Sequence, residues 1–301
     1  MQAIHAKHIG VLAAQALKSD QESMIGQVIV TFPNSFYLKT RKSQLVFITS
    51  RTLRSPITVN LEYSGNLTDI IKPLDPVHVN DGRLCHSNFS IEFAGSSPEG
   101  QKTFPVYGVQ YAKLIEASIL LSTILRIIEN AGSVLDPSQI ILHDSISDFV
   151  ENAIIPLRTR EFPSDFASAA SKIIGLGTGF TPSGDDFLLG FLLIYNSLAP
   201  SITRTPICLD IALLASRTNW ISAKLLDYAQ HLQVDDQLLH LVQSMSDECE
   251  DTVTAVESLI PRGHTSGIDM ATGAVFGMSI TSDIALKLGR TEIVATNLGF
   301  V

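Results

Sequence analysis

The stretch GLGTGFTPSGDDFLLG, residues 175–190, constrains the fold of this 301-residue chain more than any other. Glycine alternates with other residues at 175, 177 and 179, and glycine accepts positive φ angles and close backbone contact. These positions predict a loop shaped around another group. An almost wholly apolar run from Phe187 to Leu198 follows and predicts a buried helix. Ser183 is the expected N-cap, and free amides with partial positive charge at this N-terminus predict an anion site.

The acidic pair Asp185 and Asp186 at the start of this helix leaves other interpretations open. Carboxylates suit the positive end of a helix dipole, but they also compete with a bound anion for the same donors. The pair could instead hold a metal ion or act as a base. The glycine loop could also serve only tight packing before a buried helix.

A second loop, GHTSGIDMATGAVFG from Gly263, repeats the pattern of the first. The pattern S-G-x-D-x-x-x-G begins at Ser183 and again at Ser266, each time before an apolar helix rich in small residues. Two helix N-termini in one domain would face a common cavity, with Asp186 and Asp269 as paired carboxylates. The expected neutral donors are the hydroxyls of Thr181, Ser183, Thr265 and Ser266.

Two further features carry polar chemistry in the apolar second half. His264 would lie at the rim of the cavity, where an imidazole exchanges protons near neutral pH, or it would cap a backbone group. The segment SRTNWIS, residues 216–222, offers Arg217 for a phosphate or carboxylate, or for a salt bridge. Its other hydrogen-bonding side chains are Thr218, Asn219 and Ser222. Arg262 is a second possible anion ligand.

Composition excludes several classes of function. The net charge of −9 and a pI near 5.3, without a basic run, argue against nucleic-acid binding. The three cysteines lack CxxC spacing, which argues against a disulfide framework or a cysteine zinc site and favours a reducing, cytoplasmic location. The longest apolar block, 187–199, is shorter than the ~20 residues of a spanning helix, so no membrane segment is expected.

The order of patterns along the chain predicts an α+β fold with two domains. The N-terminal sequence MQAIHAKHIGVLAAQALKS is interpreted as one short helix, and a sheet or small barrel should follow it. The expected strands, rich in β-branched and aromatic residues, are 27–32, 35–39, 45–49, 57–61, 76–79 and 89–93. A linker at 94–105 separates a strand-rich domain, 1–100, from a mostly α-helical domain, 106–301. The helices expected there are 107–130, 145–155, 164–174, 185–198, 208–216, 221–232, 236–246 and 248–259. Residues 208–216 and 221–232 form either one helix or two that join near Thr218 and Asn219.

The three polar clusters together resemble the AllH-like family, formerly a domain of unknown function, which includes the AllH-type subunit of oxamate carbamoyltransferase. The resemblance is carried by GLGTGFTPSGDDFLLG at Gly175, SRTNWIS at Ser216 and GHTSGIDMATG at Gly263. It covers the helical half, while the N-terminal half matches only in its strand-rich character. Thr178 stands where a proline is expected, and Asn219 where a second threonine is expected.

The resemblance implies a bacterial cytoplasmic protein that works with two other kinds of subunit in purine and allantoin catabolism. The implied reaction converts oxalurate and phosphate into oxamate and carbamoyl phosphate. Its small anionic ligands would be phosphate, carbamoyl phosphate and an oxamate-like carboxylate. This chemistry requires anion sites and donors that stabilise charge on the carbonyl oxygen as it becomes tetrahedral.

The expected catalytic residues are His264, Asp186 and Asp269. The expected residues for binding substrate or phosphate are Gly177, Gly179, Thr181, Ser183, Gly184, Asp185, Arg217, Thr218, Asn219, Ser222, Thr265, Ser266 and Gly267. A first alternative is a Mg²⁺-dependent phosphotransferase or hydrolase with Asp185, Asp186 and Asp269 as metal ligands, because Mg²⁺ selects carboxylate oxygens. A second alternative is a subunit without catalytic activity that binds an anion or acts as a scaffold.

Overall fold

The computed structural model describes residues 2–18, 23–93, 98–99, 109–110, 119, 144–159, 166–202, 204–244, 252–263, 265–289 and 292–293. The chain divides into two compact units, Met1–Lys102 and Thr103–Val301. Almost all of the predicted linker, 94–105, and of the predicted helix, 107–130, lies outside the described residues. The domain limits 1–100 and 106–301 therefore stay a prediction. No helix within the described ranges is long and apolar enough to cross a membrane.

The first unit is an eight-stranded barrel. Its strands are β1 (Gln2–Gly10), β2 (Ser23–Phe32), β3 (Ser35–Thr40), β4 (Leu45–Thr49), β5 (Thr58–Glu62), β6 (Pro76–Asn80), β7 (Arg83–Cys85) and β8 (Phe89–Glu92). The order around the barrel is β1-β5-β4-β3-β2-β6-β7-β8, and a parallel pairing of β8 with β1 closes it. The short strand β9 (Pro98–Glu99) also pairs with β1. Closure removes the exposed edges that an open sheet would present.

The N-terminal sequence is not one helix, and that prediction was wrong. Residues Gln2–Gly10 form strand β1, and only Val11–Leu17 are helical, as α1. In the strand, Ile4 and Ala6 are buried between exposed neighbours, which is the two-residue period of a strand, and His8, Ile9 and Gly10 are buried at its end. His8 Nδ1 also lies 2.9 Å from Asn60 Oδ1 on the neighbouring strand β5. Pairing with β5 and β8 therefore decides the structure of this segment.

The other strand predictions agree with the barrel, except that β7 was missed. All six predicted segments lie within or next to observed strands, and 45–49 coincides with β4. Between β6 and β7 the chain turns at Asp81 and Gly82, with φ angles of 47° and 70°. Two positive φ angles at an Asp-Gly pair are the signature of a tight β-hairpin. That dipeptide was the available signal for β7.

The second unit is mostly helical among its described residues. A helical segment at 144–149 continues into a π-helical turn, Val150–Ile154, and a 3₁₀ turn, Ile155–Arg158. The longer helices are α2 (Phe166–Ile173), α3 (Ser183–Leu198), α4 (Ile211–Arg217), α5 (Trp220–Gln230), α6 (Asp236–Gln243), α7 (Thr252–Leu259) and α8 (Ser266–Lys287). Two short strands, β10 (Val109–Gln110) and β11 (Glu292–Ile293), pair antiparallel.

Local capping explains where these helices begin. The carboxylate of Asp210 accepts from the amides of Ala212 and Leu213, so α4 begins at Ile211 rather than at 208. The sequence left open whether one helix or two span this region, and the structure has two, because α4 ends at Arg217 and α5 begins directly after Asn219. Within the described residues the sequence therefore located the helices, while the caps determined their ends.

Helices α3 and α8 form the centre of the second unit and cross through two glycines. A Cβ atom on Gly190 would lie 1.9 Å from the carbonyl oxygen of Met270, and one on Gly273 would lie 1.9 Å from that of Phe187. A side chain at either position would collide with the other backbone. Gly190 follows Phe187 by about one turn on α3, and Gly273 follows Met270 by about one turn on α8. The two contacts are therefore equivalent, and the helices cross in an approximately twofold arrangement.

Candidate functional site

The loop before α3 adopts the unusual backbone that its glycines predict. Gly175, Gly177 and Gly179 have φ angles of 80°, 105° and 120°. A Cβ on Gly175 would lie 2.2 Å from the carbonyl oxygen of Arg217, and one on Gly177 would lie 2.8 Å from the amide nitrogen of Ser183. Residues 177–180 are exposed. The loop is therefore fixed at its start and open to solvent at its tip.

Ser183 is not the N-cap of α3, and that prediction was wrong. The helix begins at Ser183, and Pro182 occupies the N-cap position without a side-chain hydrogen bond. The Pro182 carbonyl accepts from the amides of Asp185, at 3.0 Å, and Asp186, at 3.1 Å, and the Leu176 carbonyl accepts from that of Gly184 at 2.9 Å. Most amides at this end are thus paired within the backbone. The hydroxyl of Ser183 is left for another partner.

The second loop repeats this construction at α8. The amide of Gly267 donates to the carbonyl of Arg262 at 3.1 Å, as Gly184 donates to Leu176. A Cβ on Gly267 would lie 1.8 Å from the Leu259 carbonyl oxygen at the end of α7. A Cβ on Gly184 would likewise lie 2.0 Å from the carbonyl oxygen of Ile173 at the end of α2. The sequence repeat is therefore also a structural repeat.

Polar side chains at the N-terminus of each helix contact side chains of the other helix. The Thr181 hydroxyl donates to Asp186 Oδ2 at 2.9 Å and lies 3.1 Å from the Ser266 hydroxyl of α8. The Ser266 hydroxyl interacts with the Asp186 carboxyl and lowers its pKa, and the Ser183 hydroxyl of α3 does the same for Asp269 of α8. The first serine of each helix thus faces the aspartate of the other. This geometry brings together five residues that the sequence assigned to the site.

The pKa values of the two aspartates are raised towards neutral pH. Burial raises the pKa of Asp186 to about 7; the hydroxyls of Ser266 and Thr181 oppose this shift, and the nearby charge of Asp269 adds to it. Burial raises the pKa of Asp269 to about 6, against the effect of the Ser183 and Thr265 hydroxyls. Near neutral pH the pair therefore titrates as a coupled unit.

Asp185 belongs to a different network from its neighbour Asp186. Its buried carboxylate accepts from the Gly175 amide at 2.8 Å and from the Thr218 hydroxyl at 2.5 Å. Burial raises its pKa, and the hydrogen bonds from Thr218, Gly175 and Ser222 oppose that shift. No group of three or more His, Cys, Asp or Glu side chains among the described residues is arranged to hold a metal ion. Magnesium binding by the three aspartates has no support in this geometry.

The segment after α4 positions the first loop. Asn219 caps α5 by accepting from the amides of Ile221, at 3.1 Å, and Ser222, at 2.9 Å. Its Nδ2 donates to the carbonyl of Phe180 in the loop at 3.0 Å. Thr218, Asn219 and Ser222 therefore hydrogen-bond to groups of the protein. Binding of an anion by the same side chains stays a prediction.

The two candidate arginines differ in their surroundings. Arg262 forms an ion pair with the buried carboxylate of Asp235, the N-cap of α6. The Arg217 side chain is exposed, and within the described parts of the chain it makes no hydrogen bond or ion pair, while its carbonyl contacts Gly175. Arg217 is thus available to a ligand beside the loop. His264 lies outside the described residues, and its catalytic role stays a prediction.

Sequence reasoning missed two features. The first is the ion pair of Asp235 with Arg262. The sequence signal for Asp235 was an acidic residue directly before the apolar run of α6, which is typical of an N-cap. A surface cavity of about 420 Å³ also occurs in the barrel unit, lined by His78, Val79, Asn80, Cys85 and His86. The sequence assigned no role to these histidines.

The comparison with known families concerns the same part of the chain. Residues 173–278 match a family model described as oxamate carbamoyltransferase subunit AllH. This region is similar to the AllH family. The AllH match contains both glycine loops, the segment 216–222 and the crossing of α3 with α8, so the resemblance to the family is confirmed. The AllH match excludes the barrel, and no solved structure matches the chain.

Proposed function

We propose that this chain is a cytoplasmic subunit of a carbamoyl-transferring enzyme in purine and allantoin catabolism, which converts oxalurate and phosphate into oxamate and carbamoyl phosphate. The observation that carries the proposal is a reciprocal pair of contacts between α3 and α8, inside the region that matches the AllH family. Ser266 interacts with Asp186, and Ser183 interacts with Asp269. This arrangement gathers hydroxyl donors and two titratable carboxyl groups beside two glycine loops.

The proposed reaction needs one proton transfer in addition to the exchange of bonds. A phosphate oxygen attacks the terminal carbamoyl carbon of oxalurate, and the bond from that carbon to the oxamate nitrogen breaks. The proton of the hydrogen phosphate passes to the leaving nitrogen. Asp186 suits this transfer because a pKa of about 7 lets it accept and return a proton at neutral pH.

The anions would bind on the solvent side of the carboxyl pair. The exposed loop contributes Gly177 and Gly179, and Arg217 contributes a guanidinium whose fork suits a phosphate or carboxylate. The second loop contributes Thr265, Ser266 and Gly267, with His264 as a further proton donor. The backbone pairing at both helix N-termini makes hydroxyls and arginine, rather than free helix amides, the main donors in this proposal.

Turnover of oxalurate tests the proposal. The purified chain, together with the subunits that co-purify with it, is supplied with oxalurate and phosphate, and carbamoyl phosphate is measured. Asp186→Asn should lower kcat by about 100-fold or more, because it removes a proton-transferring group. Asp283→Asn is the matched control, since its carboxylate lies on α8 but pairs with Arg158 at 2.7 Å. Unchanged turnover in Asp186→Asn would contradict the catalytic role and favour a scaffold subunit.

A further inference from the structure

Asn219, the residue that caps α5, uses every hydrogen-bonding group of its side chain within the protein. Its Oδ1 accepts from the amides of Ile221, at 3.1 Å, and Ser222, at 2.9 Å. Its Nδ2 donates to the carbonyl of Phe180 at 3.0 Å and to the hydroxyl of Ser222 at 3.2 Å. A side-chain amide has two donor hydrogens and two acceptor lone pairs, and all four are occupied here. An effect of Asn219 on a bound anion is therefore exerted through the loop that it holds.

The bond to the Phe180 carbonyl restrains the exposed tip of the first glycine loop. Among the described residues, 177–179 have no hydrogen-bond partner. Gly177 and Gly179 have φ angles of 105° and 120°, and glycine has more backbone freedom to lose on ordering than any other residue. Asn219 thus holds a segment whose own residues supply no hydrogen bonds. The amides of this segment stay available to a ligand.

The segment of chain that contains Asn219 also carries Arg217 and is attached to the start of the loop. Thr218 follows α4 in an extended conformation and donates to Asp185, which also accepts from the Gly175 amide. Gly175 lies directly against the Arg217 carbonyl, where a Cβ would be 2.2 Å away. The segment is therefore attached to the loop at both ends, through Asp185 at the start and Asn219 at the tip.

The second loop lacks the first of these attachments. In the repeated pattern, Ile268 occupies the position of Asp185, and an apolar side chain accepts no hydrogen bond. Both loops nevertheless make the same contact of a glycine with the end of the preceding helix. The repeat therefore folds without this attachment, which belongs to the side of the site that presents the exposed Arg217.

We propose that Asn219 is a positioning residue that holds the amides of residues 177–179 beside Arg217, so that both bind the same anion. This inference rests on the proposed function and specifies what sets the affinity of its anion site. Donors that are in place before the anion arrives bind it more tightly, because the loop then loses less conformational freedom on binding. Without the bond to Phe180 the anion itself must order the glycine tip. Binding then weakens, while proton transfer at Asp186 is unaffected.

Asn219→Ser tests this role, because serine also caps a helix but is too short to keep the bond to the Phe180 carbonyl. Binding of inorganic phosphate to the full chain is measured by calorimetry at pH 7, and turnover of oxalurate is measured with the subunits that co-purify. We expect the Kd and the KM for phosphate to rise by about tenfold, with kcat within about twofold of the wild type. Asn152→Ser is the matched control, since Asn152 Nδ2 likewise donates to a backbone carbonyl, that of Asp148 at 2.8 Å. The control should leave all three values unchanged.

Each outcome bears on the inference separately from the proposed function. Asn219→Thr carries the same test if the serine variant does not fold, since threonine is also a capping residue. Loss of folding in both variants would overturn the inference, because the fold itself would then depend on Asn219. Phosphate binding as tight as in the wild type, a fall in kcat at unchanged KM, or a wild-type chain that does not bind phosphate would also overturn it. The proposed function is judged apart from these results, by whether turnover of oxalurate depends on Asp186.

Discussion

The hydroxyl of Thr218 donates to Asp185 Oδ2 at 2.5 Å and joins the segment between α4 and α5 to the first turn of α3. Asp185 is 2% exposed, so its carboxylate depends on donors from the protein. The Gly175 amide supplies another hydrogen bond at 2.8 Å. Asp185 thus connects the start of the glycine loop with the segment that carries Arg217.

We expect Thr218→Val to destabilise the chain by about 1–3 kcal/mol, because it leaves a buried carboxylate with one donor fewer. Denaturant unfolding followed by circular dichroism measures the loss. Thr272→Val is the matched control, since the Thr272 hydroxyl donates only to the Ile268 carbonyl of its own helix. Equal losses in the two variants would show that the bond to Asp185 contributes nothing particular.

The crossing of α3 and α8 should not tolerate a single added methyl group. Gly190→Ala and Gly273→Ala each place a Cβ against a backbone carbonyl, and we expect each to cost about 3 kcal/mol, at the upper end of typical overpacking effects. At Gly277 the nearest atoms belong to the Ile194 side chain, at 2.9 Å, which can shift. Gly277→Ala should therefore cost clearly less in the same unfolding experiment. A larger loss at Gly277 would contradict the described crossing.

The raised pKa of Asp186 makes stability depend on pH in a defined direction. The folded chain holds this proton up to about pH 7, whereas an unfolded aspartate releases it near pH 4. Stability should therefore fall as pH rises from about 4 to 7, and the full cost remains above that range. Asp186→Asn removes the titration, so its Tm relative to the wild type should rise between pH 5 and pH 8.5. A Tm difference that is constant with pH would contradict the raised pKa.

The sequence predicted which segments meet but not how their side chains pair. The alternating glycines are a local signal, and their positive φ angles appear as predicted. The sequence left open a break at Thr218 and Asn219, and the structure has it. Asp185 and Asp186 were treated as one acidic pair. Successive residues point about 100° apart on a helix, so the two carboxyls enter different networks.

Contacts between elements account for the remaining errors. The reciprocal contacts of Ser183 with Asp269 and Ser266 with Asp186 follow from the close crossing of α3 and α8, which no local pattern specifies. Ser183 carries a favoured N-cap side chain, but its hydroxyl is directed to the partner helix instead. Pairing with its barrel neighbours likewise determines strand β1. The sequence suggested one helix there because the seven-residue helix α1 directly follows the strand.

Phosphate-dependent thermal unfolding of the full chain tests the anion site most directly. A ligand at one hundred times its Kd adds about 2.7 kcal/mol to the native state, which for a unit of this size corresponds to a rise in Tm of roughly 5–10 °C. The control variant is Arg204→Ala, because Arg204 follows the 3₁₀ turn Ala199–Ile202 after α3 and is not one of the residues assigned to the site. The account predicts such a rise with phosphate in the wild type and in Arg204→Ala, and its loss in Arg217→Ala. A Tm that does not respond to phosphate, or an equal rise in Arg217→Ala, would contradict an anion site at the first glycine loop.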